Sequence, residues 1–453
     1  MSAVRMTEGR ISGHLLRYAV PLILGNLFQL TYNAVDSAIV GLYVSKEALA
    51  AVGASSPVLN MLVLGISGLC VGAGVIMSEA FGGNDERTLR RELAMTLLAG
   101  GSFSFVVMVL GVIFTVPLLR LLAVPEDVMA LTTAYLRVVL LGLPFTCLYN
   151  AMAQAMKSVG DSRTPLRFLI FSSVLNALLD VIFVAWLRMG AVSSAATTVA
   201  AQAASALLCV WYIRRKVPLL RLEREDWHPE KQLLKRTVSY GGTTALQSAC
   251  QPIGKLMIQS VVNNLGVDAM ACFNAVGRMD DYACLPAQSI SQASSTFIAQ
   301  NRGAGRTERI RSGFLTAMLL EFSWWPIIGL VTWFFRQPIM GLFVTGDNTE
   351  VIATGCAYLG WMALIYLCPC MTNGCQSYFR GMGHMKLTLL NTFIQISLRV
   401  LFVYLLVPTY GLHCVAFASA IGWCGMLALD FPLIGWNLGR LRKGTHPIQR
   451  KNK

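Results

Sequence analysis

Two aspartates, Asp36 and Asp180, stand inside otherwise apolar stretches, and each keeps amide side chains at helical spacing. Asn26, Gln29, Asn33 and Asp36 follow one another at intervals of 3, 4 and 3, which stacks them on one helical face. Asn176 and Asp180, four apart, share a face in the same way. Carboxylates and amides of this kind offer hard oxygen ligands to Na⁺. Brought together, two carboxylates would instead share a proton, because like charges resist ionising side by side. The plainer alternative is that each aspartate is bonded to an Asn or Thr and only fixes helix packing. Asp36, seven residues from Tyr43, has the further alternative of solvation at the outer end of its segment.

The second half of the chain carries different chemistry. Lys255 lies in a stripe with Gln247, Gln251 and Gln259, and Gln288, Ser291, Gln292 and Ser295 form another polar face. Arg399, Glu321 and Asp430 are further charges within apolar runs, and Arg278 with Asp280 or Asp281 reads as a structural ion pair. Of the twelve cysteines, Cys368, Cys370 and Cys375 cluster. They have no His or carboxylate at ligand spacing, so packing thiols are expected rather than a metal site. No Ser/His/Asp or His-rich arrangement appears, so no enzyme is expected. Gly72-Ala73-Gly74 lacks the Lys-Ser/Thr of a P-loop and reads as close helix packing.

Residues of these types must be held in place by something that tolerates little charge. Of 453 residues, 55% are hydrophobic and 13% charged, about half the charged share of a soluble domain. The expected solvent is the bilayer, with about 20 apolar residues per crossing. Spanning segments are predicted near 15–43, 54–80, 93–119, 133–156, 165–187, 191–213, 237–264, 271–299, 312–335, 355–380, 387–408 and 411–437. The first, seventh and eighth are the polar ones. The net charge of +14 sits in the connections and not on a nucleic-acid-binding face. Counting Lys and Arg, 29 fall on the side of the termini and four (Lys46, Arg120, Arg188, Arg336) on the other, which puts both termini in the cytoplasm of a multi-pass cell-membrane protein.

The chain also repeats. Phe81-Gly82-Gly83-Asn84 recurs as Arg302-Gly303-Ala304-Gly305, and Lys157-Ser158-Val159-Gly160-Asp161 as Arg380-Gly381-Met382-Gly383-His384. Tyr18, Gln29 and Asn150 likewise match Tyr240, Gln251 and Asn373. The expected fold is therefore all-α integral membrane, with twelve transmembrane helices in two six-helix lobes related by a pseudo-two-fold axis along the membrane normal. The lobes are 1–216 and 237–453, joined by a basic cytoplasmic linker, 217–236. At the positions matching Asp36, Asn176 and Asp180 the second half has Ile258, Arg399 and Val403, so the carboxylates belong to one half only. Intramembrane charges of this sort usually line a pathway.

Pro21, Gly25-Asn26-Leu27, Asp36-Ser37-Ala38-Ile39-Val40-Gly41, Ala50-Ala51-Val52-Gly53, Gly82-Gly83-Asn84, Asn176-Ala177-Leu178-Leu179-Asp180 and Gln300-Asn301-Arg302-Gly303-Ala304-Gly305 appear in this order. Together they resemble the multidrug and toxic compound extrusion (MATE) family. The resemblance implies a secondary active antiporter that exports organic, often cationic compounds in exchange for H⁺ or Na⁺ by alternating access. It also implies a DinF-like cation site at Asp36, Asn176, Asp180 and Thr198, with Pro21 as a hinge. The NorM-like pattern instead has an acid in the seventh span, where this chain has Lys255. Asn26, Gln29, Asn33, Gln251, Lys255, Gln288 and Arg399 are the candidate substrate-cavity residues. No cofactor is expected beyond the coupling ion, no metal beyond Na⁺, and no nucleic acid; the expected partners are small organic molecules and the bilayer, and the protein is expected to act as a monomer. The alternative within the same architecture is a flippase for a lipid-linked cell-envelope precursor, which Lys255, Arg278 and Arg399 would suit.

Overall fold

The computed structural model describes residues 4–43, 46–343 and 349–442; within its helices the side chains of residues 33–43, 46, 48, 342, 343, 349 and 350 lie outside the description, those of Asn33 and Asp36 among them. Among the described residues the elements are helices. They are α1 (Ile11–Tyr43), α2 (Lys46–Gly82), α3 (Glu86–Ile113), α4 (Thr115–Leu121), α5 (Glu126–Leu141), α6 (Leu143–Ser158), α7 (Arg163–Asp180), α8 (Ala191–Lys216), α9 (Lys231–Asn263), α10 (Val267–Gly303), α11 (Thr307–Phe343), α12 (Thr349–Ile365), α13 (Leu367–Gly381), α14 (Met385–Tyr410) and α15 (Cys414–Arg442). Three short pieces are interspersed. A π-helical turn, Val181–Trp186, extends α7, and two 3₁₀ turns, Pro218–Leu220 and Arg224–Trp227, lie in the basic linker.

Eight helices among the described residues are long and apolar enough to cross a bilayer, or nine if α12 and α13, bent by 42°, form one broken crossing; α5 and α6 count here as one. The bend has a local cause: α13 opens with Leu367-Cys368-Pro369, and proline lacks the N–H that a continuing helix would use. Helices α9 and α10, 33 and 37 residues long, are not in that set. Their Gln, Ser, Lys and Asp residues lower the mean hydropathy, and these are the segments from which several candidate cavity residues come.

The chain forms two compact units: Met1–Arg5 with Leu24–Ala245, and Met6–Ile23 with Leu246–Lys453. Two helices therefore pass from one unit into the other, α1 between Ile23 and Leu24 and α9 between Ala245 and Leu246. The first crossing point lies just past Pro21, through which α1 continues as a helix.

In the first unit, Met77, Phe81, Leu89, Leu93 and Met156 form a core between α2, α3 and α6. The opening half of α9 seats against the same unit through charge and close contact. Arg236 is ion-paired with Glu79, and the Thr237 hydroxyl lies 3.0 Å from both carboxylate oxygens of the fully buried Glu92. The contact is close because α2 offers glycine: a Cβ at Gly72 would stand 2.5 Å from the Tyr240 carbonyl oxygen, and one at Gly68 2.7 Å from Ala245 Cα. In the second unit the buried strip Met6, Leu15 and Tyr18 packs with Phe297, Tyr378 and Phe379. The segment before α1 is pinned there by its backbone: Met6 N–H donates to Gln300 Oε1 at 2.9 Å, and Arg306 donates to the Thr7 carbonyl at 2.9 Å.

The repeated loop segments have a conformational reason. Asn84 and Gly305 both have positive φ (58° and 70°), and so do Gly160 and Gly383 (88° and 78°), each just past a helix end. The left-handed region favours Gly and Asn, so equivalent turns keep equivalent residues while the helices between them diverge.

Because backbone atoms face Gly72, Gly72→Ala should destabilise the protein by about 1–3 kcal/mol through overpacking. Gly101→Ala on α3, where a Cβ meets open space, should leave stability unchanged or raise it by up to about 1 kcal/mol. Thermal unfolding of the two purified variants checks the contrast, and equal melting temperatures would contradict the packing described.

Candidate functional site

The polar residues of α7 and α8 meet inside the first unit. Asn176 and Asp180 are 2% and 1% exposed, and a carboxylate or amide so placed in an apolar wall requires partners. The partners come from α8. The Thr197 hydroxyl donates to Asp180 Oδ1 and is also within 2.8 Å of the Ser194 carbonyl oxygen. The Asn176 amide Nδ2 donates to Thr198 Oγ1 at 3.4 Å, and the Thr198 hydroxyl in turn donates to the Ser194 carbonyl at 2.9 Å. Asn176 Oδ1 is buried and has no hydrogen-bond partner among the described residues.

Local sequence explains the arrangement. An Asn and an Asp four residues apart present their oxygens along one face of α7. The π-helical turn beginning at Val181 lies immediately beyond Asp180, a break of the kind that often marks functional sites. On α8, Ala191-Val-Ser-Ser-Ala-Ala-Thr-Thr supplies small side chains and hydroxyls that permit close approach. The polar seam continues along the same helices: Ser172 donates to the Ala201 carbonyl and Ser205 to the Phe168 carbonyl, each at 3.2 Å, and Thr146 of α6 donates to Gln202 Oε1 at 2.7 Å.

Of the four expected cation ligands, the structure brings together Asn176, Asp180 and Thr198; the side chain of Asp36 lies outside the described residues. Thr197 was not among the expected residues, yet it is the one bonded to Asp180. Chemically, the group offers a carboxylate, an amide oxygen and two hydroxyls, an all-oxygen set suited to Na⁺ or to a proton on the carboxylate.

The expected cavity residues divide by exposure. Gln29, Gln251, Lys255 and Gln288 are exposed in their units, Asn26 and Arg399 half-buried, and Asn33 lies outside the described side chains. In the second unit, Lys255 Nζ would lie 3.5 Å from a Cβ at Gly277, and the Arg399 guanidinium lies 5.9 Å from the Trp423 ring centroid, its buried Nε without a hydrogen-bond partner among the described residues. Asp280 accepts a hydrogen bond from Tyr366 at 2.7 Å, and no Arg278 ion pair joins it or Asp281 among the described residues. Asp280 thus has Tyr366 as its hydrogen-bond donor, with Arg399 and Lys255 and not Arg278 as the bases that act on it. A further network links Gln247 to Gln376 and Thr392 at 2.7 and 2.9 Å, with Arg380 donating to Gln376 at 2.9 Å.

Two further buried carboxyl groups lie in the second unit. Asp430 accepts from Asn391, and Glu321, 0% exposed, has neither oxygen bonded among the described residues. Sequence pattern alone marked both as charges in apolar runs but gave them no partners.

Comparison with known proteins places this geometry in a setting. A family profile described as MatE matches residues 21–182 and again 244–405, two stretches whose starts lie 223 residues apart. The chain is similar to the probable multidrug resistance protein YpnP of Bacillus subtilis (strain 168), 30% identical over 370 residues covering 81% of each chain. It is also similar to the probable multidrug resistance protein NorM of Thermotoga maritima, 24% identical over 441 residues and covering 92% of this chain and 89% of that one. Among solved structures, an outward-facing conformation of a multidrug resistance MATE family transporter of the MOP superfamily matches with a TM-score of 0.89 at 20% identity, over 98% of this chain and 99% of the other.

Since Thr197 and not Thr198 donates to the buried carboxyl, Thr197→Val should lower stability by about 1–2 kcal/mol and Thr198→Val by less than half as much. Melting temperatures of the two isosteric variants check the order; a reversed order would contradict the assignment of the donor.

Proposed function

We propose that this chain, which belongs to the MatE family of multidrug efflux transporters and is a transporter and not an enzyme, exports organic, often cationic compounds in exchange for H⁺ or Na⁺. The proposed architecture is twelve transmembrane helices in two six-helix lobes, 1–216 and 237–453, joined by the basic linker 217–236 and working as a monomer in the cell membrane with both termini in the cytoplasm. The double match of one family profile at a 223-residue interval supports the two-lobed reading.

The observation that carries the coupling proposal is the buried oxygen set of the first unit. Asn176 Oδ1 has no hydrogen-bond partner among the described residues, Asp180 is held by Thr197, and Thr198 stands beside the amide. Adding Asp36 from α1 would give a hard cation its oxygen shell, or a proton its second carboxylate, in the DinF-like manner. Occupation there changes the charge of a helix wall, and α1 is the helix that passes between the two units just past Pro21. Bending at Pro21 would convert loading of the cation into motion. The substrate is assigned to Asn26, Gln29, Asn33, Gln251, Lys255, Gln288 and Arg399, a set richer in amides than in charge. The flippase reading is not favoured: several relatives are named for multidrug resistance.

Export of ethidium from proteoliposomes, with a pH step and a Na⁺ step imposed separately, tests the reading. Asp180→Asn and Asp36→Asn should each reduce gradient-driven export at least tenfold while ethidium binding changes by less than threefold. Full cation-driven export by Asp36→Asn would remove the coupling role assigned to the first unit.

A further inference from the structure

One buried acid of the first unit, Glu92 on α3, lies outside the group formed by Asn176, Asp180 and their threonines. It is 0% exposed and is met by the opening half of α9, where the Thr237 hydroxyl lies 3.0 Å from Glu92 Oε1 and 3.0 Å from Oε2. The same hydroxyl lies 2.9 Å from the Leu233 carbonyl oxygen of its own helix. Three acceptors therefore surround a group that owns one hydrogen. The setting is apolar: Ala94 and Met95 of α3 form a buried cluster with Ile76 of α2 and with Leu233 of α9, one turn before Thr237.

The bases nearby are engaged with other acids. Arg236, the base that acts on Glu92, is ion-paired with Glu79 of α2 and lies 5.3 Å from the Tyr240 ring centroid. On α3 itself Arg90 pairs with Asp226 at 3.5 Å and Arg91 with Glu230 at 3.1 Å, both acids of the basic linker. Lys157, at the end of α6, is half-buried and is not among the groups that act on Glu92. In the 223-residue register Glu92 matches Leu315, which is 47% exposed, so the acid belongs to one half of the repeat only.

A buried carboxylate needs donors for its oxygens, and Thr237 has a single hydrogen to share between Glu92 and Leu233. A proton on the carboxyl supplies the second hydrogen: the Glu92 O–H donates to Thr237 Oγ1, and the Thr237 hydroxyl donates to the Leu233 carbonyl. We propose that Glu92 and Thr237 form a proton-binding site, closed when the opening half of α9 seats on the first unit and open to water when it lifts. Seating is close because Gly68 and Gly72 of α2 admit the α9 backbone at Tyr240 and Ala245. By linkage, seating α9 takes up a proton and lifting it releases one, and each event favours the other. The ligand is a proton and not a metal ion because one carboxyl, one hydroxyl and one carbonyl fall short of the roughly six oxygens that a hard cation takes. Any use of this proton in transport rests on the exporter reading; the site itself rests on the first unit alone.

Difference infrared spectroscopy of the full chain in lipid, wild type against Glu92→Gln, tests the site, and deuterium exchange of residues 231–245 tests its link to α9. At about pH 6, where an exposed glutamate is ionised, the wild type should show a carboxylic C=O band that Glu92→Gln lacks. Thr237→Val, which removes the acceptor, should move that band to higher frequency, and Thr237→Ser should leave it in place. Glu92→Gln has no proton to lose, so at the same pH its exchange over 231–245 should equal that of the wild type. At about pH 9 the wild type should exchange faster than Glu92→Gln, by up to about tenfold for each pH unit over which the seated form keeps a proton that the lifted form has lost. Intrinsic exchange rates cancel because the two chains are compared at one pH. Neither measurement uses a substrate or an ion gradient, so both succeed or fail separately from export. Absence of the Glu92-dependent band, a band unmoved by Thr237→Val, or equal exchange of the two chains at the higher pH would each overturn the proposal.

Discussion

Hydrocarbon offers no hydrogen bonds, and everything in this fold follows from how polar groups are satisfied without water. Most hydroxyls solve the problem within their own helix. Ser55, Ser78, Thr96, Thr132 and Ser419 each donate to the carbonyl four residues earlier, at 2.7 to 2.8 Å. Such residues make helices soluble in one another without specifying a site. Amides can do the same through their N–H, as Asn150, Asn301 and Asn373 do, but a carboxylate has no donor to offer its own helix and takes one from a neighbour. Asp180 with Thr197, Glu92 with Thr237, Asp280 with Tyr366 and Asp430 with Asn391 are places where this joins particular helix pairs.

The same constraint bears on the two helices whose residues divide between the units. Helices α1 and α9 carry the amide stripes and are the two whose residues divide between the compact units. A uniformly apolar helix is content against lipid or against any apolar neighbour. A helix with Asn26 and Gln29, or Gln247 and Lys255, needs different surroundings along its length, and a long helix can find them in two bodies. Glycine supplies the close approach where polar backbone must be covered, as at Gly68 and Gly72 in the first unit.

Much of this was legible in the sequence, and for definable reasons. The half-length repeat could be read because Asn84 and Gly305, or Gly160 and Gly383, occupy left-handed turns that few residues tolerate. The face shared by Asn176 and Asp180 could be read because a four-residue interval means the same thing in every helix. What periodicity cannot supply is the rotation of one helix against the next. Thr197 and Thr198 are adjacent and point about 100° apart; which of them reaches Asp180 depends on how α8 is turned toward α7, and only packing decides that. The division of the tenth apolar run into α12 and α13 and that of the fourth into α5 and α6 were both signalled by a proline in the first turn of the second helix, Pro369 and Pro144. Conversely, α9 and α10 escape a test of length and apolarity because the residues that interest the chemist are the ones that lower the average.

The internal repeat separates what the fold requires from what it merely permits. In the 223-residue register, Asp180 corresponds to Val403, which is fully buried in the apolar core of the second unit. The same helical position thus packs equally well with a valine, so scaffold geometry does not demand a carboxylate there. Asp430 corresponds to Leu207, which is 60% exposed, and Glu321 to Leu98, so the second unit's buried acids have no acidic counterpart in the first. Burying an acid is costly and a replacement by a similarly sized apolar side chain is commonly neutral or stabilising. In the first unit Asp180 and Glu92 are both buried acids of this kind, their twins being Val403 and Leu315; Glu92 is met by Thr237, and beside Asp180 the Asn176 Oδ1 has no hydrogen-bond partner among the described residues.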